Sequence, residues 1–265
     1  MALLAHNDAG HVEELVSAWA AHLDGLNRDY QLIVVDDGSA DGTADRAEGL
    51  RDKFPRLEVL RHEAPRGVGA GLRTALAAAK QPLFFYTVCD PRYRPDDLPR
   101  LLAVIDPVHL VSGYRASRPV PVFWRAVGGL TRILCRIVFG AAPAPLPGWL
   151  GVNGHAARLL ARVLFAVRNR DVLCPYRLAR REIFARIPLQ SDGPFVHVEV
   201  LAKANFLGCI LAEDVPLGDA QRPVRAEPRD GPGKGFIKEC MRVFDRPDFG
   251  PTVLPTPPVA TAALV

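Results

Sequence analysis

The segment Gln31–Thr43, with the sequence QLIVVDDGSADGT, contains the residues best suited to chemistry in this chain. A short apolar run ends directly in Asp36 and Asp37, which places two carboxylates at the end of a buried strand. The carboxyl edge of a parallel sheet is where open α/β sheets bind ligands. Gly38 permits a tight turn, and Asp41 can cap the helix that follows. The simpler alternative is an ordinary strand-to-helix turn, although paired acids followed by a second Asp-Gly exceed what a turn requires.

The elements that must position these acids alternate between strand and helix in the first half of the chain. The strands are predicted at Ala2–Ala5, Leu32–Val35, Leu57–Leu60, Leu83–Val88 and Val108–Val111. The helices between them are predicted to begin near Val12, Thr43, Gly67 and Asp96. This alternation predicts an α/β fold with a mostly parallel central sheet, right-handed crossovers and flanking helices.

The second half of the chain has a less regular pattern. Helices are predicted near 156–167, 181–187 and 195–207, with a strand or turn at Cys174–Ala179 and a late strand at Ile210–Val215. Pro, Gly, Arg and Asp dominate from Gly218 on, which predicts a C-terminal tail over 218–265. The last part of that tail, Pro251–Val265, is expected to be disordered or loosely draped.

Composition limits the classes of protein to which the chain can belong. Its 265 residues, 49% of them apolar, suffice for one large or two small α/β domains. The net charge of +4 suits anionic ligands or an anionic membrane surface and predicts no nucleic-acid partner. Five scattered cysteines without a CxxC pair favour a reducing cytoplasm over disulfides or a zinc site. No signal sequence and no run of about 18 apolar residues is present, so no membrane span is predicted.

The acidic motif Val34–Thr43 resembles the nucleotide-binding strand of family 2 glycosyltransferases, which have the GT-A fold. The resemblance covers roughly Leu3–Arg222 and is strongest to the polyprenyl-phosphate branch, which is similar to dolichol-phosphate mannose synthase. It implies a GT-A domain over 1–217, with a nucleotide-sugar half at 1–115 and an acceptor half at 116–217. By comparison the first strand is short, so a truncated or misassigned N-terminus is expected.

The resemblance also implies where a nucleoside-diphosphate sugar would bind. Asp36 and Asp37 would hold its base and ribose, since carboxylates accept hydrogen bonds from N–H and O–H groups. In the segment Arg66-Gly67-Val68-Gly69, glycines would let the backbone approach the nucleotide, and the helix N-terminus would favour phosphate. The implied donor-binding residues are Ala5, His6, Asn7, Asp36, Asp37, Arg66, Gly67 and Asp90.

Thr87-Val88-Cys89-Asp90 departs from the family's Asp-x-Asp pattern, because Val88 stands at the first aspartate. The second aspartate, here Asp90, would reach a divalent metal that bridges the donor diphosphate, so Mg²⁺ or Mn²⁺ is expected there with weakened affinity. Arg115 follows the next strand and would bring a second positive charge to the phosphates as a catalytic group. The alternatives are that Asp90 only begins a turn and that Arg115 lies in a surface loop.

On the acceptor side, the resemblance implies that Asp171 orients the acceptor or an arginine, with a structural salt bridge as the alternative. Segment 119–147 is basic and aromatic, with Phe123 and Trp124 among arginines. It is predicted either to rest on anionic lipid headgroups or to pack in the core. The other implied acceptor residues are Gln190, Ser191, Glu199 and Arg222.

The resulting prediction is inverting transfer of a sugar from a nucleoside-diphosphate sugar to a polyprenyl phosphate. The enzyme would be cytoplasmic and peripheral on the inner face of the membrane. A phosphate acceptor is already ionised, so no strong base is required. A family 2 transferase with a soluble acceptor is one alternative, and it would need a basic carboxylate near Asp171 or Glu199. A degenerate GT-A domain that binds nucleotide sugar without catalysis is the other, favoured by Val88 and Pro175.

Overall fold

A computed structural model describes residues 1–115, 151–212, 215–218 and 234–250. Seven strands in these ranges form one sheet in the order β3-β2-β1-β4-β6-β5-β7. Their bounds are β1 Ala2–Ala5, β2 Leu32–Asp36, β3 Leu57–Arg61, β4 Leu83–Val88, β5 Leu110–Arg115, β6 Arg177–Arg180 and β7 Val215–Leu217. Strand β6 runs antiparallel to β4 and β5, and the other strand pairs are parallel.

Helices pack against this sheet, which confirms the predicted α/β class with a mostly parallel sheet. The helices are α1 Val12–Gly25, α2 Thr43–Glu48, α3 Val68–Ala78, α4 Leu98–Leu102, α5 Gly151–Phe165, α6 Val196–Phe206 and α7 Lys234–Asp245. Short 3₁₀ turns cover Pro95–Asp97 and Arg181–Ala185. No helix in the described ranges combines the length and the apolarity needed to cross a lipid bilayer.

Alternate residues of the central strands pack into two cores on opposite faces of the sheet, as strand geometry requires. Leu4 and Val35 join one core, together with residues of α3, α5, α6 and α7. Leu3 and Val34 join the other, which contains Trp19 of α1. Because both faces are covered, ligands can approach the central strands only at their ends.

Several predicted elements differ from the structure. The late strand covers Val215–Leu217 and not Ile210–Val215, and the helix predicted at 181–187 is a 3₁₀ turn. The charged stretch Thr43–Phe54 predicts a helix that ends before Pro55, whereas helix α2 ends at Glu48 because Gly49 is a poor helix former. Strand β5 continues to Arg115, beyond the predicted Val111, because Gly113–Arg115 pair with β7. Helix α7 lies within the range assigned to a C-terminal tail, and it is held by a buried stripe whose members are Phe236, Cys240 and Val243.

Candidate functional site

The acids singled out in the sequence follow neighbouring strands at one edge of the sheet. Ala5 of β1 is in register with Asp36 of β2, and Leu4 is in register with Val88 of β4. Since all three strands are parallel, the residues that follow them lie at the same carboxyl edge. Asp37 and Asp90 are separated by the width of β1, which corresponds to about 10 Å between the flanking strands.

The end of β1 and the acidic turn after β2 are locked together by hydrogen bonds. The Asp37 N–H donates to the Ala5 carbonyl at 2.9 Å, and Nδ1 of His6 lies 2.8 Å from the Asp37 carbonyl oxygen. The Asn7 N–H donates to Oγ of Ser39 at 2.8 Å. Asn7 adopts a positive φ of 55°, a conformation that asparagine tolerates better than most residues. Ala5, His6 and Asn7 therefore form one rigid rim with the acidic turn, and their contact with a nucleotide base stays a prediction.

Asp36 is fully buried and only partly satisfied. One carboxylate oxygen, Oδ2, accepts a hydrogen bond from the Ser39 N–H at 3.1 Å. The other, Oδ1, is buried without a hydrogen-bond partner among the described residues. A buried acceptor without a donor costs free energy, so Oδ1 is an unfavourable feature of this turn that the described residues do not compensate.

Asp37 holds the loop that leads into α3. Its carboxylate accepts hydrogen bonds from Nδ1 of His62 at 2.7 Å and from the N–H groups of Arg66 and Gly67 at 2.9 and 2.8 Å. Burial raises the pKa of Asp37, but these hydrogen bonds outweigh burial and bring the pKa below its usual value. Asp37 thus stays ionised and positions the Arg66–Gly67 backbone, while its predicted contact with the ribose remains untested.

The structure gives a different reason for the glycines of this loop than the approach of a nucleotide. Gly67 has a φ of 96°, and a Cβ there would lie 2.4 Å from the Asp192 carbonyl oxygen. A Cβ on Gly69 would lie 2.0 Å from the carbonyl oxygen of Ser191. Both glycines are therefore required by the close packing of the loop against residues 191–193. The side chain of Arg66 is exposed.

Asp90 is engaged by a residue that the sequence analysis did not single out. Nε of Arg92 lies 3.0 and 2.8 Å from its two carboxylate oxygens, Nη2 also contacts Oδ2, and the Arg92 N–H donates to Oδ1 at 2.9 Å. Both side chains are mostly buried. The only sequence signal for this pair is the separation of two residues between opposite charges.

A second buried ion pair lies at the end of β5. Nε and Nη2 of Arg115 donate to Asp171 at 2.6 and 2.9 Å, and Nη1 donates to the hydroxyl of Tyr93 at 3.3 Å. Burial lowers the pKa of Arg115, but the charge and hydrogen bonds of Asp171, together with the neighbouring Tyr93 and Cys174, outweigh burial and raise the pKa above its ordinary value, so the guanidinium stays charged. Asp171 therefore forms a salt bridge with Arg115, which fits both the orientation of an arginine and the structural alternative, and its contact with an acceptor stays a prediction. Tyr93 is a further residue of this cluster that sequence reasoning missed.

Three of the predicted acceptor residues, Gln190, Ser191 and Glu199, are joined to one another by hydrogen bonds. The Glu199 carboxylate accepts hydrogen bonds from the N–H groups of Gln190 and Ser191 at 2.8 and 2.9 Å. It also pairs with Nζ of Lys203 at 2.8 Å, and Glu199 and Lys203 are both buried. Through these contacts Glu199 supports the loop at residues 190 and 191. Its contact with the acceptor stays a prediction. Arg222 and segment 119–147 lie outside the described residues.

The sequence of the chain is similar to those of several known proteins. Residues 3–134 match the sequence profile of a family described as "Glycosyl transferase family 2". Dolichol-phosphate mannosyltransferase of Pyrococcus furiosus is 31% identical over 203 residues, which are 76% of this chain and 51% of that protein. Undecaprenyl-phosphate mannosyltransferase of Micrococcus luteus is 28% identical over 217 residues, which are 79% of each. The chain thus spans about half the length of the first relative and most of the second.

Among solved structures, glucosyl-3-phosphoglycerate synthase from Mycobacterium tuberculosis superimposes with a TM-score of 0.61 at 22% identity. The match covers 93% of this chain and 80% of that one. That structure is a complex with Mn²⁺, UDP-glucose and glycerol 3-phosphate. At this level of identity the match establishes a shared fold.

Proposed function

Because the chain belongs to family 2 of the glycosyltransferases and has the GT-A fold, we propose that it transfers a sugar from a nucleoside-diphosphate sugar to a polyprenyl phosphate. The relatives from P. furiosus and M. luteus are named for mannosyl transfer to dolichol phosphate and undecaprenyl phosphate. The donor nucleotide would lie across the ends of β1, β2 and β4, the edge that carries the acidic turn and the Asp90–Arg92 pair.

A phosphate is the favoured acceptor because the carboxylates of Asp171 and Glu199 are both already engaged in ion pairs. A hydroxyl acceptor must lose its proton during transfer and needs a base, whereas a phosphate oxygen is already ionised. Asp171 is committed to Arg115, and Glu199 is committed to Lys203 and two backbone N–H groups. Neither acid is available as a base, which favours the phosphate acceptor over the soluble sugar alternative.

The transfer itself would be a single in-line displacement that inverts the anomeric carbon. The bond from that carbon to the donor diphosphate breaks, and its electron pair leaves with the nucleoside diphosphate. A bond from the acceptor phosphate oxygen to the same carbon forms, and no proton moves. Catalysis then consists of positioning and of stabilising charge on the leaving group, for which the edge supplies the guanidinium group of Arg115.

Contact with a membrane surface is part of the proposal, because a polyprenyl phosphate resides in lipid. Helix α7 supports it with an exposed stripe of Ile237, Met241 and Phe244, which are 55%, 50% and 47% exposed. These residues are spaced by four and three positions and so share one face of the helix. The exposed bases Lys238 and Arg242 lie on the same helix and suit anionic headgroups.

A transfer assay with matched acceptors tests the proposal. The full chain is incubated with labelled nucleotide sugars and either undecaprenyl phosphate or undecaprenol in detergent micelles, and label in the organic phase is counted. We expect transfer to the phosphate and none to the alcohol, since the alcohol requires a base. Equal transfer to undecaprenol, or transfer only to water-soluble sugars, would contradict the proposal.

A further inference from the structure

The carboxyl end of β4 carries one acid and one base where a metal site of the Asp-x-Asp type requires two acids. Residue 88 is valine, and Asp90 is bound by Arg92. Each oxygen of the Asp90 carboxylate already has two nitrogen atoms of Arg92 within hydrogen-bond reach. Since a carboxylate oxygen has two lone pairs, this arrangement leaves little acceptor capacity for another cation.

The residues around Asp90 do not fit a divalent metal. An ion there would have to displace the guanidinium of Arg92, whose side chain is only 18% exposed, and would leave that charge unpaired. Mg²⁺ and Mn²⁺ favour several oxygen ligands, and Val88 supplies none. Within the ranges that the structure describes, no group of three or more His, Cys, Asp or Glu side chains could hold a metal ion.

Charge balance points to what replaces the metal. Two carboxylates and a divalent cation sum to zero charge, and so do the single carboxylate of Asp90 and the guanidinium of Arg92. We propose that Arg92 takes the place of the divalent metal and binds the diphosphate of the donor directly. This inference rests on the proposed function, because it assigns a partner to a diphosphate that the proposed donor brings.

The geometry of Arg92 suits this role. Its Nη1 has no hydrogen-bond partner among the residues that the structure describes, whereas Nε and Nη2 are held by Asp90. Burial lowers the pKa of Arg92, but the hydrogen bonds and charge of Asp90 raise it above its ordinary value, so the group stays cationic. The second guanidinium, that of Arg115, is linked to the next residue along the chain, since its Nη1 donates to the hydroxyl of Tyr93 at 3.3 Å. A planar guanidinium matches phosphate oxygens well and keeps its charge without a metal.

In the transfer step, Arg92 would act on the leaving group only. As the bond between the anomeric carbon and the diphosphate oxygen breaks, negative charge grows on that oxygen. An N–H group of Arg92 would donate a hydrogen bond to the diphosphate and retain its proton. The charge would thus be stabilised by a cation already in place before the reaction begins.

Nucleotide binding with and without metal tests the inference. Binding of UDP and of GDP to the full chain is measured by isothermal titration calorimetry in EDTA and in excess Mn²⁺. We expect the nucleotide that binds to do so equally well in both. Arg92→Gln should weaken binding in EDTA by about 10- to 100-fold, the usual contribution of a hydrogen bond to a charged group.

Two further variants make the test specific. Arg94→Gln removes an exposed arginine two residues away and should leave the affinity unchanged. The double variant Val88→Asp with Arg92→Ser restores two acids and removes the base, so it should bind the same nucleotide only with Mn²⁺. The double variant also keeps the test decisive if Arg92→Gln alone unfolds.

The outcomes separate this inference from the proposed function. If the unaltered chain binds nucleotide only with Mn²⁺, or if Arg92→Gln binds as tightly as the unaltered chain in EDTA, the inference is wrong and the proposed function stands. If neither UDP nor GDP binds in any condition, both are wrong.

Discussion

Two ion pairs, Asp90–Arg92 and Asp171–Arg115, fix guanidinium groups at the carboxyl edge of the sheet. The carboxylates restrict the rotamers of both arginines, so less conformational entropy is lost when either binds an anion. The pairs differ in exposure, because the Asp90 side chain is 20% exposed and that of Asp171 only 2%. Asp171 is therefore the acid whose loss should affect folding most.

The ion pair between Asp171 and Arg115 is predicted to stabilise the fold. Asp171→Asn keeps the shape of the side chain but leaves the charge of Arg115 without its partner in a mostly buried site. We expect the free energy of unfolding to fall by about 3 kcal/mol, as measured by urea denaturation. The control is Asp192→Asn, which removes a carboxylate that is 57% exposed and paired with Arg73. A loss below about 1 kcal/mol is expected there, and equal losses in the two variants would refute the distinction.

The second residue-scale prediction concerns pH. His197 is buried and its ring stacks on Tyr86. Burial, and secondarily the charges of Arg177 and Arg115, bring the pKa of His197 well below its ordinary value of 6.5. The unfolded chain therefore binds a proton as pH falls below 6.5 while the folded chain does not, so stability is lost on acidification.

This contribution can be isolated by comparing two chains. Between pH 6.5 and 5, His197 should remove up to about 1.4 kcal/mol of stability per pH unit. Urea denaturation of His197→Phe across this range should show a correspondingly smaller loss. Parallel curves for the variant and the unaltered chain would mean that His197 titrates normally in the fold.

At the residue scale, the sequence indicates where the acids lie but not what they contact. Asp37 and Asp90 each end an apolar run, so their place at one edge follows from strand periodicity. The partners His62 and Arg92 could not be predicted in the same way. His62 reaches Asp37 through the pairing of β2 with β3, and Arg92 reads as an ordinary turn residue.

At the scale of elements, the N-terminus of α3 depends on the loop at residues 191–193. The Gly69 N–H donates to the Asp192 carbonyl at 2.7 Å, and Nη1 of Arg73 donates to the Ser191 carbonyl at 2.8 Å. Glu239 of α7 accepts hydrogen bonds from the N–H groups of Asp192 and Gly193. The loop thus couples helix α3 to the C-terminal helix α7.

The junction between α3 and the loop at residues 191–193 is predicted to have no room for a side chain at residue 69. Gly69→Ala would place a methyl group 2.0 Å from a backbone oxygen, which forces the loop away from α3. We expect a loss of about 2 kcal/mol in the free energy of unfolding. Gly10→Ala is the matched control, since nothing lies within 4 Å of a Cβ there. Comparable thermal unfolding of the two variants would show that the junction is not tightly packed.

The prediction for α7 concerns lipid. Replacing Ile237 and Met241 by serine should weaken binding to anionic liposomes, because it removes apolar surface from the exposed stripe. The salt-resistant part of binding in a sedimentation assay should fall most, while the salt-sensitive part that Lys238 and Arg242 supply should remain. Val104→Ser, at another exposed apolar position, serves as the control. Unchanged liposome binding by the double variant would show that the apolar stripe of α7 does not contact the membrane.

Prediction of elements succeeded where burial gives a simple pattern. Buried strands such as Leu83–Val88 appear as short apolar runs between turn residues, and the structure has that strand at the same bounds. Helix α7 was missed because its amphipathic stretch is bordered by Pro- and Gly-rich sequence. The antiparallel direction of β6 could not be predicted, since it depends on pairing with β4 and β5, which are distant in sequence.

At the scale of the whole molecule, the parallel order β3-β2-β1-β4 brings the ends of three consecutive parallel strands to one edge, and β5 adds Arg115 from beyond the inserted β6. The acidic turn, the Asp90–Arg92 pair and the Asp171–Arg115 pair are therefore assembled by topology from distant parts of the chain. The α/β class was predictable from the alternation of elements, whereas this assembly required the strand order.

The identity of the product tests the proposed transfer to a lipid phosphate most directly. Purified full chain would be incubated with an α-linked nucleotide sugar and undecaprenyl phosphate, and the lipid product analysed by mass spectrometry and NMR. We expect a sugar joined to the lipid phosphate as a β-linked phosphodiester, formed with release of nucleoside diphosphate. An α-linked product, or a sugar joined to a hydroxyl group and not to phosphate, would contradict the proposed function.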